Sequence, residues 1–163
     1  MATEQDINDF TTKGGIKIRR TKEPEIYEGA RMLLVDSLDS HRGVLLSSDF
    51  EYPGRYTRWD MGFIDPPVEI SAIGRAARVR ALSDRGRILV DALAKRLPDL
   101  DFLESFDLLN DGFTLQIAES TERFPEEKRS KQPSIFSLVR EILDFLSAPE
   151  EEAFFWSVWL LWL

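Results

Sequence analysis

Short apolar segments, separated by proline, glycine and charged turns, constrain the fold of this chain more than any other sequence feature. Pro66-Pro67 divides two such segments, and a proline pair cannot continue a central strand of a sheet. The chain has 163 residues, 43% hydrophobic and 11% aromatic, which is enough for one folded domain or one part of a larger protein. Strand-like and helix-like segments follow one another without regular βαβ alternation, so the predicted fold class is α+β.

Several segments show the two-residue alternation that is typical of strands. The stretches "GGIKIRRT", "RGVLLSSDFE" and "GFTLQIAE" each predict one strand. The stretch "RAARVRALSDRGRILVDAL" predicts a hairpin with a turn at residues 83–86 and a returning strand, followed by a short helix at residues 91–97. Residues 1–14 are polar and end in glycine, which predicts a flexible N-terminus.

Two segments have the periodicity of amphipathic helices. "EPEIYEGARMLLVDSLDS" places Pro24 in a first turn, and its predicted apolar face consists of Ile26, Ala30, Leu33, Leu34 and Leu38. "SIFSLVREILDFLSA" begins with Ser134 as the predicted N-cap, and its inward face consists of Ile135, Leu138, Val139, Ile142, Leu143 and Leu146. The charged stretch "RFPEEKRSKQPS" between strand and helix is typical of a solvated linker.

Composition excludes several kinds of functional site. The sequence has no cysteine, so disulfides, thiolate zinc sites and cysteine nucleophiles are excluded. His41 is the only histidine, which argues against a multi-histidine metal site and a Ser-His-Asp triad. The net charge of -8 argues against a nucleic-acid partner held by phosphate contacts. No secretory signal is visible at the start, and we expect a cytoplasmic chain without a membrane partner.

The stretch "LLSSDFEYPGRYTRWD", residues 45–60, is the candidate binding segment. A strand that ends in the hydroxyls of Ser47 and Ser48 and the carboxylate of Asp49 offers donors and acceptors that suit the ammonium and carboxylate of an amino acid. The alternative is a strand that ends in a serine-rich turn without a ligand. Asp60 and Asp65 flank "MGFI", and for both we favour surface or turn positions over an acid/base pair.

A longer run that contains this segment resembles a known family. "SHRGVLLSSDFEYPGRYTRWDMGFIDPP" is similar to the N-terminal portion of anthranilate synthase, most like the bacterial form that is fused to its glutamine amidotransferase. "TKGGIKIRR" upstream and "EEKRSKQPSIFSLVREILDF" downstream match the same family in order and spacing. The resemblance covers residues 12–148 and implies a regulatory region at residues 15–149. It also implies part of a sandwich fold that is incomplete without the catalytic portion.

The resemblance implies a function for the whole enzyme and a narrower one for this chain. The family converts chorismate and glutamine or ammonia into anthranilate and pyruvate with Mg²⁺, in tryptophan biosynthesis, and tryptophan inhibits it. The implied effector-binding residues are Leu45, Leu46, Ser47, Ser48 and Asp49. The residues for chorismate and Mg²⁺ belong to the family's later catalytic portion, so we expect no catalytic residue, metal site or cofactor in this chain. The implied partners are tryptophan, the catalytic portion and the amidotransferase.

Other functions are compatible with the same residues. The chain could act as a non-catalytic tryptophan-binding module, or as a piece that complements a separately encoded catalytic part. It could also be part of another chorismate-utilising enzyme, such as aminodeoxychorismate synthase. The run "EYPGRYTRWD" favours anthranilate synthase over that enzyme.

The final residues, 150–163, depart from the family. Trp156, Trp159 and Trp162 recur every third residue, a spacing that matches neither the helix period nor the strand period. The family has glycines every third residue at this point. The tryptophan codon TGG, read one base later, becomes a glycine codon. We therefore interpret the apolar tail as the product of a frameshift near residues 150–155 that truncates the chain.

This interpretation predicts a specific nucleotide sequence. We expect the frame shifted by one base to read Gly-Tyr-Asp across the codon of Leu163 and to stay open beyond it. Resequencing the locus from the codon of residue 145 onward is the measurement. A shifted frame that closes at once, without a catalytic region downstream, contradicts the interpretation.

Overall fold

The computed structural model describes residues 6–23, 27–47, 60–119 and 132–148. In chain order the elements are β1 (Asp6–Thr11), β2 (Lys17–Lys22), α1 (Tyr27–Leu38), β3 (Gly43–Ser47), β4 (Asp60–Ile64), β5 (Val68–Ile73), β6 (Ala76–Ala81), α2 (Asp84–Arg96), β7 (Leu103–Leu109), β8 (Gly112–Ile117) and α3 (Ile135–Phe145). Helices and small antiparallel sheets are mixed, which confirms the α+β class. Within these ranges, no helix is long and apolar enough to cross a membrane.

The chain divides into two compact units. The first is built around residues 22–66 and contains α1, β3 and β4. The second combines residues 7–21 with the chain from Pro67 onward, and contains every other element. The tail of residues 150–163 lies outside the described residues.

The first unit is a hairpin with a helix against it. β3 and β4 pair antiparallel from Gly43 opposite Ile64 to Ser47 opposite Asp60. Of the apolar face predicted for α1, Leu34 and Leu38 are half-buried, whereas the side chain of Leu33 is 63% exposed. The buried stripe of α1 is therefore narrower than the sequence pattern predicts. None of the described hydrophobic side chains of this unit is fully buried.

The second unit contains the hydrophobic core. Its four-stranded antiparallel sheet has the order β5-β6-β8-β7, and β1 pairs with β2 in a separate two-stranded sheet. The buried hydrophobic residues are Ile16, Val68, Ala77, Val79, Val90, Leu93, Leu97, Phe113, Leu115, Ile117, Leu138, Ile142 and Leu146. Burial of this apolar surface is the main term that stabilises the unit.

Helix α2 replaces the returning strand that the sequence pattern predicts at "RGRILVDAL". Ser83 is an N-cap, because its Oγ accepts a hydrogen bond of 3.1 Å from the backbone N–H of Gly86. Gly86, Val90 and Leu93 are buried at a spacing of four and three residues, which is helical. The hairpin partner of β6 is β5, through a turn in which Gly74 has a φ of 62°.

Strands β4 and β5 form in the two apolar segments that Pro66-Pro67 divides, whereas β1 and β7 have no counterpart in the sequence-based expectations. Residues 6–11, within the segment expected to be flexible, form β1, and residues 103–109 form β7. The β1–β2 turn is hydrogen-bonded to the end of α3: the N–H of Gly14 donates to the carbonyl of Phe145 at 2.7 Å. The mobility of residues 1–14 stays a prediction.

Helix α3 follows its sequence pattern. It begins after Ser134, whose N–H donates to the Ser137 hydroxyl at 3.2 Å. Leu138, Ile142 and Leu146 are buried in the core, and the other residues of the predicted inward face are half-buried. The face and the start of this helix are therefore confirmed.

Candidate functional site

Three of the five predicted effector residues occupy the end of strand β3. Leu45 and Leu46 are half-buried and Ser47 is exposed. Ser48 and Asp49 lie outside the described residues. The strand therefore ends on an exposed hydroxyl, as the sequence predicts, and the remaining two effector positions stay predictions.

The neighbouring strand supplies a carboxylate to this strand end. Asp60 is the first residue of β4 and the register partner of Ser47. The Oγ of Ser47 donates a hydrogen bond of 2.9 Å to Oδ1 of Asp60. The side chain of Asp60 is only 7% exposed, although it carries a charge.

Helix α1 supplies the countercharge. Nε of Arg31 lies 3.6 Å from Oδ2 of Asp60, and the side chain of Arg31 is 42% exposed. A buried carboxylate is costly unless it is paired and hydrogen-bonded, and Arg31 and Ser47 provide both kinds of partner. The strand end is therefore a polar network of a cation, an anion and a hydroxyl.

A glycine on β4 allows α1 to lie close to the hairpin. Gly62 is the register partner of Leu45, and a Cβ at Gly62 would overlap Cδ2 of Leu34 on α1. The same Cβ would lie 2.7 Å from the carbonyl oxygen of Val44. Helix α1 therefore lies close to the hairpin at Gly62. Arg31, on the same helix, lies close to Asp60.

The two aspartates that flank "MGFI" have different environments. Asp65 is an exposed turn residue with a φ of 50°, and its carboxylate lies 2.9 Å from Nδ1 of His41, so the turn interpretation is confirmed for it. The surface interpretation of Asp60 is wrong, because strand pairing buries that side chain beside Ser47. Only the register between "GVLLS" and "DMGFI" could have revealed this contact, and the sequence does not specify that register.

Across residues 6–23, 27–47, 60–119 and 132–148, no group of three or more histidine or carboxylate side chains could hold a metal ion. Asp9 and Arg19 form an exposed ion pair between β1 and β2, and the hydrogen bond from Arg19 lowers the pKa of the Asp9 carboxyl. This pair lies in the second unit and joins two surface strands.

Comparison with known proteins identifies a relative. The chain is 40% identical over 142 residues to a protein of Azospirillum brasilense named anthranilate synthase. The match covers 87% of this chain and 19% of that relative, so the chain spans about a fifth of the relative's length. No family model matches the chain, and no solved structure matches it. The resemblance read from the sequence is thus confirmed: the chain is similar to a portion of that anthranilate synthase.

Proposed function

We propose that this chain is the N-terminal regulatory portion of an anthranilate synthase, that it carries part of a tryptophan feedback site, and that it forms no anthranilate by itself. The observation that carries the proposal is the 40% identity across 142 residues. The exposed hydroxyl of Ser47 at the end of β3 supports the site, because the ammonium and carboxylate groups of an amino acid need polar partners.

The catalytic steps belong to the part of the relative that this chain does not match. In this proposal, the chorismate and Mg²⁺ sites and the glutaminase lie there, and this chain contributes strands to a larger sandwich in the cytoplasm. The described structure has a strand that ends in an exposed hydroxyl, and this supports the proposal that the region binds an effector.

A chimeric enzyme tests the regulatory role. Residues 12–148 of this chain would replace the matching segment of the Azospirillum brasilense anthranilate synthase, and anthranilate formation would be followed by fluorescence. We expect an active enzyme that tryptophan inhibits. Ser48→Ala should raise the tryptophan concentration for half inhibition about ten-fold, the effect of one hydrogen bond to a charged ligand group. Ser71→Ala, at an exposed position of β5, is the matched control and should leave inhibition unchanged.

Two outcomes contradict the proposal in different ways. An active chimera that tryptophan does not inhibit would exclude the feedback site. Anthranilate formation by the 163-residue chain alone, with chorismate, ammonia and Mg²⁺, would exclude the non-catalytic role.

A further inference from the structure

The two edge strands of the four-stranded sheet differ in how they could pair with a further strand. In the described part of the chain these edges are β5 and β7. Strand β7 has a register shift between Leu103 and Ser105 and carries the carboxylates of Glu104 and Asp107, and bulges and charges of this kind discourage edge pairing. Strand β5 pairs with β6 over six consecutive residues without a shift, and its sequence "VEISAI" contains no proline or lysine. The edge of β5 is therefore the one that is open to another strand.

The pairing of β5 with β6 fixes which backbone groups of β5 point away from the sheet. The N–H of Leu82 donates to the carbonyl of Pro67 at 2.8 Å, so Pro67 directs its carbonyl toward the chain that continues β6. Hydrogen-bonded and non-hydrogen-bonded pairs alternate along antiparallel strands, so every second residue after Pro67 also faces β6, and the residues between them face away. The outward residues are Val68, which is buried, Ile70, which is half-buried, and Ala72, which is exposed. Ile70 and Ala72 therefore present their N–H and C=O groups at an accessible edge.

A second copy of the same strand satisfies these groups in one antiparallel register. When Ser71 lies opposite Ser71 of the second copy, Ile70 of each copy lies opposite Ala72 of the other. Each Ile70 and Ala72 then exchange both of their backbone hydrogen bonds across the edge. A register shifted by two residues would instead require the buried Val68 or the turn residue Gly74. The edge is therefore complementary to itself in the register centred on Ser71.

The side chains also suit this register. Ser71 opposite Ser71 is a non-hydrogen-bonded pair, in which the side chains lie closest together, and two small hydroxyl side chains fit there. Glu69 lies opposite Ile73 of the second copy, so no like charges are directly opposed, and Glu69 keeps its 2.8 Å ion pair with Arg80. Ile73 is 86% exposed in the single chain and gains a neighbour in the pair. The register therefore pairs the backbone without a charge conflict.

We propose that two copies of this chain associate through their β5 edges, antiparallel and with Ser71 opposite Ser71, so that their two four-stranded sheets become one continuous sheet. The same surface is used on both copies, so the association closes at a dimer and does not grow into a fibre. The proposal concerns the second unit alone and does not depend on the proposed function.

A charge-swap experiment on the complete 163-residue chain tests the register. Sedimentation equilibrium over a range of concentrations should show the average mass rising from one copy toward two. Ser71→Lys and Ser71→Glu each place like charges directly opposite one another and should weaken self-association about five-fold. A mixture of the two variants places lysine opposite glutamate and should restore association. A substitution that merely disturbed the sheet would not be rescued by mixing.

Two further sets of variants complete the test. Ser105→Lys and Ser105→Glu are the matched controls, because Ser105 is an exposed serine on the opposite edge of the same sheet, and neither variant should change association alone or mixed. Ala72→Pro removes one outward N–H from each copy and leaves the N–H groups that face β6, as prolines on edge strands do. It should weaken association about ten-fold, the effect of two lost hydrogen bonds. If Ala72→Pro does not fold, the Ser71 variants decide.

An NMR sample that mixes isotopically labelled and unlabelled copies locates the contact directly. We expect a cross-peak between the Hα protons of Ser71 in the two copies, because the Hα protons of a non-hydrogen-bonded pair face each other. The same sample should show slower amide exchange at Ile70 and Ala72 as the concentration rises.

Three results would overturn the proposal. A chain that stays monomeric up to about 1 mM would show that a second copy does not occupy the β5 edge, which would then be left to another part of a longer protein. Self-association that the Ser71 and Ala72 variants leave unchanged would show that another surface joins the copies. Weaker association in both Ser71 variants without recovery in their mixture would exclude the register centred on Ser71.

Discussion

Replacement of Gly86 by alanine is expected to destabilise the second unit by about 3 kcal/mol, a typical upper value for overpacking in a core. Gly86 lies in the first turn of α2 and is buried. A Cβ at this position would overlap the carbonyl oxygen of Pro67 and lie 2.7 Å from its carbonyl carbon. Both atoms are backbone, so no side chain can rotate away to relieve the clash.

Helix propensity predicts the opposite sign for the same substitution. Alanine in place of glycine stabilises a helix interior by about 1 kcal/mol when the backbone conformation is unchanged. The clash outweighs this gain because the Pro67 carbonyl also accepts a hydrogen bond of 2.8 Å from the N–H of Leu82, which fixes its position. Movement of the Pro67 carbonyl away from the new Cβ would weaken that hydrogen bond as well.

Urea denaturation followed by circular dichroism is the measurement for Gly86→Ala. Asp91→Ala is the matched control, because Asp91 is an exposed residue of the same helix and its change should stay within about 0.5 kcal/mol. A Gly86→Ala protein as stable as the unsubstituted chain would show that α2 does not lie against Pro67 as described.

The region around Gly86 also shows where sequence patterns are ambiguous. "LSDRGR" has the composition of a hairpin turn. Ser83 is equally suited to be an N-cap, and its hydroxyl accepts from the N–H of Gly86, three residues later. The periodicity decides between them, because Val90, Leu93 and Leu97 are buried at helical spacing.

Other elements follow directly from their residues. The strands "KIRRTK" and "GFTLQI" and the helix α3 carry clear periodic patterns, and each forms where the pattern predicts. The sequence does not predict the strand "LESFDLL", because the alternation of apolar and polar residues breaks at Leu108 and Leu109. Both of these side chains are exposed in the structure. It forms because it pairs antiparallel with β8 through backbone hydrogen bonds, and local sequence does not encode this tertiary contact.

The candidate site likewise combines one feature that the sequence predicts with others that it does not. The hydroxyl end of β3 can be predicted from "LLSS", since the apolar run stops at Ser47. The contributions of Asp60 and Arg31 cannot, because they depend on a strand register and on the closeness of α1 to Gly62. Asp60, which the sequence presents as solvent-facing, is thus the buried acceptor of the Ser47 hydrogen bond.

Phe113→Ala is expected to lower the free energy of unfolding of the second unit by about 4 kcal/mol, from lost burial and the cavity that remains. Phe113 lies on the inner strand β8 and is fully buried. Its ring centroid is 4.8 Å from that of Phe106 on β7, with the planes tilted by 31°. Aromatic pairs of this kind contribute about 1 kcal/mol beyond the buried area.

A loss of this size would remove much of the stability of an ordinary domain, which is about 5–15 kcal/mol. Chemical denaturation monitored by circular dichroism measures it, and Phe113→Leu should lose about 1.5 kcal/mol because it keeps most of the volume. Ile73→Ala is the matched control: it truncates a large apolar side chain of the same sheet that is 86% exposed, so it should stay within about 0.5 kcal/mol. Equal losses for Phe113→Ala and Ile73→Ala would mean that the sheet does not bury the face that contains Phe113, and the core assigned to the second unit would be wrong.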